Sequence, residues 1–241
     1  MKYRSIVKIQ DQLALLGYYT GIVDGVWGPI SDMSLSRAMQ DKKVKVYFDF
    51  DKFKDLFNQK RINQSFVDNI NTLFEAFNKH KDLGGANPLN AAYMLATTWH
   101  ETAFTFKPIK EYGSYKYLSK YDTGRLARIL GNTPEADGDG VFYAGRGYVM
   151  ITGAENYRKF SALLNIDLVK FPDLALDPRI AAEILTVGSL KGMFTTRQLS
   201  DYIKFGGITE FISARKVING VDANRAIAAY AVKFVDCIVL V

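Results

Sequence analysis

The stretch from Asn87 to Glu101 is the feature that most constrains what this chain can fold into. It is almost continuously apolar up to Trp99, and it opens on Asn87-Pro88. Asparagine is a favourable helix cap, and proline is tolerated in the first turn, where its missing N–H leaves no bond unmade. The pattern therefore predicts a helix whose last turn presents Glu101 beside an apolar surface.

A second carboxyl, Glu111, follows ten residues later, beyond Pro108. An apolar surface disfavours the charged form of a carboxyl, whereas the polar neighbours of Glu111 favour it. Two carboxyls under such opposed pressures are what glycoside hydrolysis needs. An unbroken helix would place them about 15 Å apart, and inverting hydrolases need roughly 6.5–9.5 Å. We therefore expect a turn, with Pro108 biasing Lys107 away from helical angles.

Spacing alone favours the alternative that both are ordinary surface glutamates near a helix end. A zinc-protease interpretation fails, because Phe104 stands where the motif begun by His100-Glu101 needs a second histidine. His80, His100 and Cys237 are too few soft ligands for a zinc site. We expect no metal and no cofactor, and a single cysteine excludes an internal disulfide.

The 241 residues carry a formal net charge of +6 at pH 7, and this length allows one large or two unequal domains. A modest positive charge suits an anionic partner such as nucleic acid, a membrane surface or a bacterial wall. Long Lys/Arg runs are absent, so the charge alone does not choose between them. The sequence lacks the apolar core of a secretory signal and any run of roughly 20 apolar residues. We expect neither a signal peptide nor an integral membrane segment.

Residues 1–42 form a distinct unit in the sequence. Helical spacing predicts a first helix that Gly17 ends, then a loop rich in turn residues, then a second helix. The predicted inward side chains of the first helix are Ile6, Ile9, Leu13 and Leu16. Those of the second helix are Met33, Leu35 and Met39.

This unit resembles the peptidoglycan-binding domain found beside many wall-degrading enzymes. The matching positions are Ile9-Gln10, Leu13, Leu16-Gly17-Tyr18-Tyr19, Gly21, Val23-Asp24-Gly25 and Gly28-Pro29. The resemblance implies a wall-binding role, for which we select Tyr19, Asp24, Gly25 and Trp27. The sequence leaves open whether Trp27 stacks on sugar or packs internally.

Residues 43–58 lack proline, glycine and serine, so we predict a short connector and not a floppy linker. Residues 59–241 would then form the second domain. Its helical patterns cover residues 65–79, 155–165, 178–195, 197–205, 208–218 and 223–236, and a short hairpin is expected within 141–152.

Within this second domain, residues 95–225 resemble the chitinase-like glycoside hydrolase family 19, in the form carried by many phage lysis enzymes. Four blocks in matching order carry the resemblance: Trp99-His100-Glu101-Thr102 with Pro108 to Gly113; Tyr121-Asp122, Gly124-Arg125, Leu130 to Thr133 and Asp137-Gly138; Tyr143, Gly145 to Val149, Ile151 to Gly153 and Asn156-Tyr157; and Val217 to Gly220. It implies a mainly α protein: a small helical binding domain, then a larger lysozyme-like, α-rich catalytic domain with at most a short β-hairpin.

The resemblance implies that Glu101 is the general acid, that Glu111 is the general base and that Thr152 helps to place the attacking water. Arg146 is similar to the arginine beside the catalytic acid. The implied substrate-binding residues are His100, Tyr112, Arg146, Tyr148, Asn156 and Asn219. The sequence leaves His100 open between substrate contact and a hydrogen-bonded core role, and Asp122 is a fallback base.

Two positions depart from the family pattern. Met150 stands where the family usually has glutamine, and Tyr148 where plant-type members have proline. These changes leave the exact substrate open but not the reaction type.

We predict a monomeric phage endolysin that waits in the host cytoplasm until its release and cleaves β-1,4 bonds of bacterial peptidoglycan with inversion. We expect it to bind no nucleic acid. The alternatives are a chitinase acting on chitin and a catalytically silent wall-binding protein.

Overall fold

The computed structural model describes residues 3–205 and 207–241. The helices are α1 (Tyr3–Leu15), α2 (Pro29–Gln40), α3 (Phe50–Phe57), α4 (Gln64–Lys79), α5 (Pro88–Glu101), α6 (Tyr115–Leu118), α7 (Gly124–Leu130), α8 (Asp139–Phe142), α9 (Ala154–Leu164), α10 (Pro178–Leu190), α11 (Ile208–Ala214) and α12 (Asn224–Asp236). The strands are β1 (Val46–Phe48), β2 (Ile109–Lys110), β3 (Arg146–Gly147) and β4 (Ile238–Leu240). Among these described residues, no helix is both long and apolar enough to cross a bilayer.

Helix α5 lies at the centre of the core. Every residue from Pro88 to Trp99 is buried, and the helix packs along α12 and against α10. The predicted cap is confirmed, because Asn87 Oδ1 accepts a hydrogen bond from the Leu89 N–H at 2.9 Å. Burying one large apolar side chain contributes about 1.5–3 kcal/mol, so this packing fixes the position of Glu101 at the end of the helix.

Residues 43–58 contain strand β1 and helix α3, and their assignment as a connector between domains stays a prediction. Strand β1 pairs antiparallel with β4 at the other end of the chain, with Val46 opposite Leu240. Phe53 of α3 is fully buried, and its ring centroid lies 5.6 Å from that of Trp99. The segment carries enough phenylalanine to join the core, and its strand partner is too distant in sequence to be inferred locally.

The N-terminal unit contains the two predicted helices, α1 and α2. The inward side of α2 differs from the prediction, because Met33 is 55% exposed and small residues share the buried face with Leu35. Gln12 Oε1 accepts a hydrogen bond from the Leu240 N–H at 3.3 Å, and the ammonium of Lys8 donates to the Asp236 carbonyl. The apolar core therefore continues from this unit into the rest of the chain. The boundary at residue 42 stays a prediction.

Two short strands, β2 and β3, form a small sheet, and a tight hairpin spans residues 146–151. Strand β2 pairs antiparallel with β3, and an isolated bridge joins Arg146 to Ile151. Apart from this small sheet and the β1–β4 pair, the described elements are helical, so the predicted mainly α fold with short strands is confirmed.

The predicted helices near the C-terminal end are longer than the observed ones. Helix α10 stops at Leu190, and Gly192, with φ at +67°, lies just beyond its end. Within residues 197–205 the structure has only the 3-10 turn Leu199–Asp201. Helices α11 and α12 match the predicted patterns more closely.

Candidate active site

Glu101 is the last residue of α5, and a buried arginine holds its carboxylate. Its side chain is 18% exposed, and its Oε1 lies 2.7 Å from Nη2 of Arg215. Arg215 is itself fixed by a 3.0 Å hydrogen bond from its Nε to the Asp222 carbonyl. The guanidinium therefore orients the carboxylate. The predicted apolar surface is not the only surrounding of Glu101.

The chain turns directly after Glu101, earlier than Pro108. The Phe104 N–H donates to the Trp99 carbonyl at 2.8 Å, and the Phe106 N–H donates to Thr102 Oγ1 at 3.0 Å. Ala103, Phe104 and Phe106 all have positive φ. Buried Phe106 packs on Trp99, with ring centroids 5.2 Å apart. The prediction that Pro108 breaks the helix is wrong, since the turn is complete before that residue.

Glu111 immediately follows β2 and continues its pairing with the segment before β3. Its N–H donates to the Gly145 carbonyl at 2.7 Å. Its Oε1 accepts from the Tyr121 hydroxyl at 3.0 Å, and its Oε2 accepts from the Gly145 N–H at 3.2 Å. Burial raises the pKa of the Tyr121 phenol, so Tyr121 stays protonated and able to donate.

Thr152 lies next to Glu111. A Cβ built on Gly145 would lie 3.1 Å from Thr152 Oγ1 and 3.2 Å from Glu111 Oε2. Both oxygens therefore converge on this glycine. Thr152 Oγ1 donates to the Met150 carbonyl at 2.9 Å, while Asn156 Nδ2 donates to the Thr152 carbonyl at 2.8 Å. The structure thus brings together three predicted site residues, Glu111, Thr152 and Asn156. Asn156 lies inside α9 and does not cap it.

Arg146 is not the arginine beside Glu101, and this corrects the assignment taken from the resemblance. It is buried, and its Nε lies 2.6 Å from Asp173 Oδ1. Its Nη1 donates to the hydroxyl of Tyr157 at 3.0 Å and to the Ala144 carbonyl at 2.8 Å. Arg215 takes the expected position instead. The role of Arg146 is to hold the hairpin against Asp173.

Tyr148 cannot contact a substrate in this structure, although we predicted that it would. Its side chain is 0% exposed, and burial raises the pKa of its phenol. The predicted polar contact is wrong because the hairpin turns this ring into the core. Tyr112, in contrast, is 99% exposed and immediately follows Glu111.

The remaining predicted site residues are His100, Asn219 and the fallback base Asp122. His100 is half-buried and precedes Glu101. Asn219 is exposed, and its N–H donates to the Arg215 carbonyl at 2.9 Å, so it lies one turn from the partner of Glu101. The fallback base Asp122 is buried and accepts a hydrogen bond from the Gly140 N–H. That contact gives Asp122 a structural role in the loop.

Three of the four residues selected for wall binding, Tyr19, Asp24 and Gly25, contact one buried glutamine, Gln10, that we did not select. Gln10 donates to the Tyr19 hydroxyl at 2.9 Å and to Asp24 Oδ1 at 3.2 Å, and it accepts from the Gly25 N–H at 2.9 Å. The Val26 N–H also bonds to Asp24 and lowers the pKa of that carboxyl. Trp27 is half-buried, and its Nε1 donates to Asp32 at 2.9 Å. These contacts build the loop.

Sequence analysis missed two residues that hold the carboxylates, Arg215 and Tyr121. Tyr121 belongs to a matched block, so its block position was the available signal. Arg215 lies 114 residues from Glu101, and nothing local to either residue predicts their contact.

The fold resembles that of solved chitinases. A chitinase C mutant superposes with a TM-score of 0.51 at 19% identity, covering 78% of this chain and 90% of that chain. Chitinase C from Streptomyces griseus gives a TM-score of 0.50 at 19% identity over 78% of this chain and 74% of that chain. The chain has a chitinase-like fold. No sequence-family profile matches the chain, and identity this low establishes the fold alone.

Proposed function

We propose that this protein is a glycoside hydrolase that cleaves β-1,4 bonds in the glycan strand of bacterial peptidoglycan, by direct water attack with inversion. The observation that carries the proposal is the convergence of Glu111 Oε2 and Thr152 Oγ1 over Gly145. A carboxylate beside a hydroxyl can hold one water molecule and remove its proton. The chitinase-like fold supports the same class of chemistry.

In the proposed reaction, Glu101 gives a proton to the leaving glycosidic oxygen as the bond from that oxygen to the anomeric carbon breaks, and it is left as the carboxylate that pairs with Arg215. Water attacks the opposite face of the sugar, and Glu111 takes the water proton. Arg215 orients Glu101, while the Tyr121 hydroxyl and the Gly145 N–H orient Glu111. Thr152 helps to place the water, since its oxygen lies beside Glu111.

Replacement of either carboxyl tests this proposal. Glu101→Gln and Glu111→Gln keep the side-chain volume and remove the proton donor or acceptor, so each should lower the rate on purified walls by about 10²–10⁴-fold. Glu135→Gln changes an exposed loop glutamate and serves as the matched control. Wall turbidity measures the rate, and near-normal clearing by Glu101→Gln would reject Glu101 as the acid.

Two alternative functions remain, and one of them has specific support. Chitin is a candidate substrate, because the solved proteins of similar fold are chitinases; parallel assays on chitin and peptidoglycan decide between the polymers. A wall-binding protein without catalytic activity is the other candidate, and it would cleave neither chitin nor peptidoglycan. Arg215 and Tyr121 hold two carboxylates in place, which favours catalysis over that alternative.

We further propose a phage endolysin, held in the host cytoplasm until lysis and active as a monomer. The N-terminal unit would keep the enzyme on the insoluble wall and raise its local concentration there. Support for wall binding comes from apolar side chains exposed on its loop, including Ile22 at 81% and Val26 at 64%. Light scattering of the purified protein tests the monomer.

A further inference from the structure

A pocket of about 820 Å³ lies beside Lys110 of β2, the residue that precedes Glu111. Strand pairing places Lys110 opposite Arg146, and the Glu111 N–H continues the ladder to Gly145. Successive side chains of a strand point to opposite faces. Lys110 and Arg146 line the pocket. The pocket and the Glu111 carboxylate therefore lie on opposite faces of the β2–β3 pair. We call it the reverse-face pocket.

The reverse-face pocket combines exposed apolar side chains with a positive charge. Its exposed large apolar lining residues are Tyr115, Phe142, Phe171 and Leu174, each between 39% and 66% exposed. Such a group of exposed large apolar side chains is a common mark of a binding surface. The ammonium of Lys170 lies 5.1 Å from the centre of the Phe171 ring, so the charge and the apolar surface meet at one end of the pocket.

The charges in the pocket favour an anion. Its charged lining residues are Lys110, Lys170, Arg146 and Asp173, which leaves two positive charges in excess. Arg146 is buried and committed to Asp173 and to backbone carbonyls. Lys110 and Lys170 are both exposed, and Lys110 Nζ makes only a long 3.7 Å contact with Asp173. The two ammonium groups are therefore available to carboxylates of a ligand.

A glycan strand without peptide branches would not occupy this pocket. An unbranched, uncharged glycan held at the Glu111 carboxylate stays on the other face of the β2–β3 pair. A peptide branch differs, because an extended chain spans about 3.5 Å per residue, and four residues reach roughly 14 Å. The stem peptides of peptidoglycan carry carboxylates and small apolar side chains, which match the lysines and the aromatic rings.

We propose that the reverse-face pocket binds the acidic stem peptide of the peptidoglycan strand whose glycan is cleaved at Glu101 and Glu111. This inference rests on the proposed function and adds a specificity site to it. The bound peptide would position the strand across the β2–β3 pair and select cross-linkable wall material over chitin.

Two forms of one substrate test the inference. Rates are measured on intact glycan strands bearing stem peptides and on the same strands after an amidase has removed the peptides. The variant Lys170→Gln/Phe171→Ala changes only exposed side chains. It should lower kcat/KM on intact strands about tenfold and leave the rate on stripped strands within twofold. Lys191→Gln and Ile129→Ala, exposed elsewhere, should change neither rate.

Binding gives a second readout. NMR titration of Glu101→Gln protein with the stem peptide released by the amidase should shift signals of Lys110 and Phe171, and Lys170→Gln/Phe171→Ala should weaken that binding. Equal effects of the double variant on both strands, with no peptide-dependent shifts, would overturn the pocket assignment while the hydrolase proposal stands. Cleavage of neither strand by the wild-type protein would overturn the proposed function, and the pocket assignment with it.

Discussion

At the scale of single residues, the absence of a side chain at position 145 is what allows Glu111 and Thr152 to meet. A methyl group there would press on both oxygens at 3.1–3.2 Å. We predict that Gly145→Ala lowers the hydrolysis rate a few-fold, because Glu111 and Thr152 must each move by a few tenths of an ångström, and a misplacement of about 1 Å at a reacting group can cost about 10²-fold.

The control for that change is Gly28→Ala. Nothing lies within 4 Å of the position its Cβ would take, and its φ is −138°. The two variants should have similar melting temperatures, and only Gly145→Ala should lower the rate. Full activity of Gly145→Ala would show that the Glu111–Thr152 geometry does not limit the reaction.

Arg215 is the residue whose loss should affect stability and activity together. Removing one partner of a buried ion pair leaves the other charge uncompensated, which costs up to 3–5 kcal/mol. Glu101 is partly exposed, so we predict about 2–3 kcal/mol for Arg215→Ala. Urea unfolding measures this loss, with Arg158→Ala as the control, since the Arg158–Glu155 pair is exposed and worth about 0–1 kcal/mol. A loss no larger than that of the control would contradict the assigned role.

At the scale of elements, an ion pair joins the end of α4 to α10. Glu183 on α10 lies 2.6 Å from His80 Nε2 and 2.8 Å from Lys79 Nζ. Burial raises the pKa of Glu183, but hydrogen bonds from Lys79 and His80 outweigh it, and the pKa lies below its ordinary value.

A carboxyl with a lowered folded-state pKa contributes stability above its unfolded pKa, near 4.5, and loses that contribution as pH falls through the folded value. We predict that wild-type stability falls more steeply with acid below about pH 4.5 than that of Glu183→Gln. Melting temperatures measured from pH 7 to pH 3 test this. Glu75→Gln, an exposed glutamate on α4, should keep the wild-type slope; parallel curves for wild type and Glu183→Gln would refute the role of this pair.

The elements that the sequence predicted well are those set by local pattern. Helices α4, α5 and α12 follow apolar periodicity over 13–16 residues. Asn87, the residue before α5, caps that helix. The elements that it missed depend on distant partners. Strand β1 requires β4, and α3 requires the rings of Trp99 and Phe234. A segment of alternating charge and phenylalanine gives no local sign of such partners.

The same difference between local signals and distant partners applies to the site residues. Glu101 and Glu111 were selected because their local sequences and block order carry the resemblance. We predicted Arg146 as the partner of Glu101 because it belongs to a matched block closer to Glu101 in the sequence. The observed partner, Arg215, lies 114 residues from Glu101. Tyr148 was misplaced for a related reason, since the sequence of a hairpin does not say which side of it faces the core.

At the scale of the whole molecule, we propose wall attachment for the N-terminal unit and bond cleavage for the rest of the chain. Because α1 packs against β4, deletion of residues 1–42 would expose apolar surface. Point changes test attachment more cleanly. We predict that Ile22→Ser/Val26→Ser, made in Glu101→Gln protein, weakens binding to purified walls about tenfold. Leu15→Ser, also exposed, is the control, and equal co-sedimentation of all three proteins would remove the attachment role from this loop.

The central claim is that Glu101 and Glu111 act on opposite faces of one sugar with a single water between them. Proton NMR of the first products, recorded before the anomers equilibrate, tests it most directly. Cleavage of a β-linked strand by this arrangement should release the α-anomer. First appearance of the β-anomer would mean a covalent intermediate or a different nucleophile, and it would contradict the account.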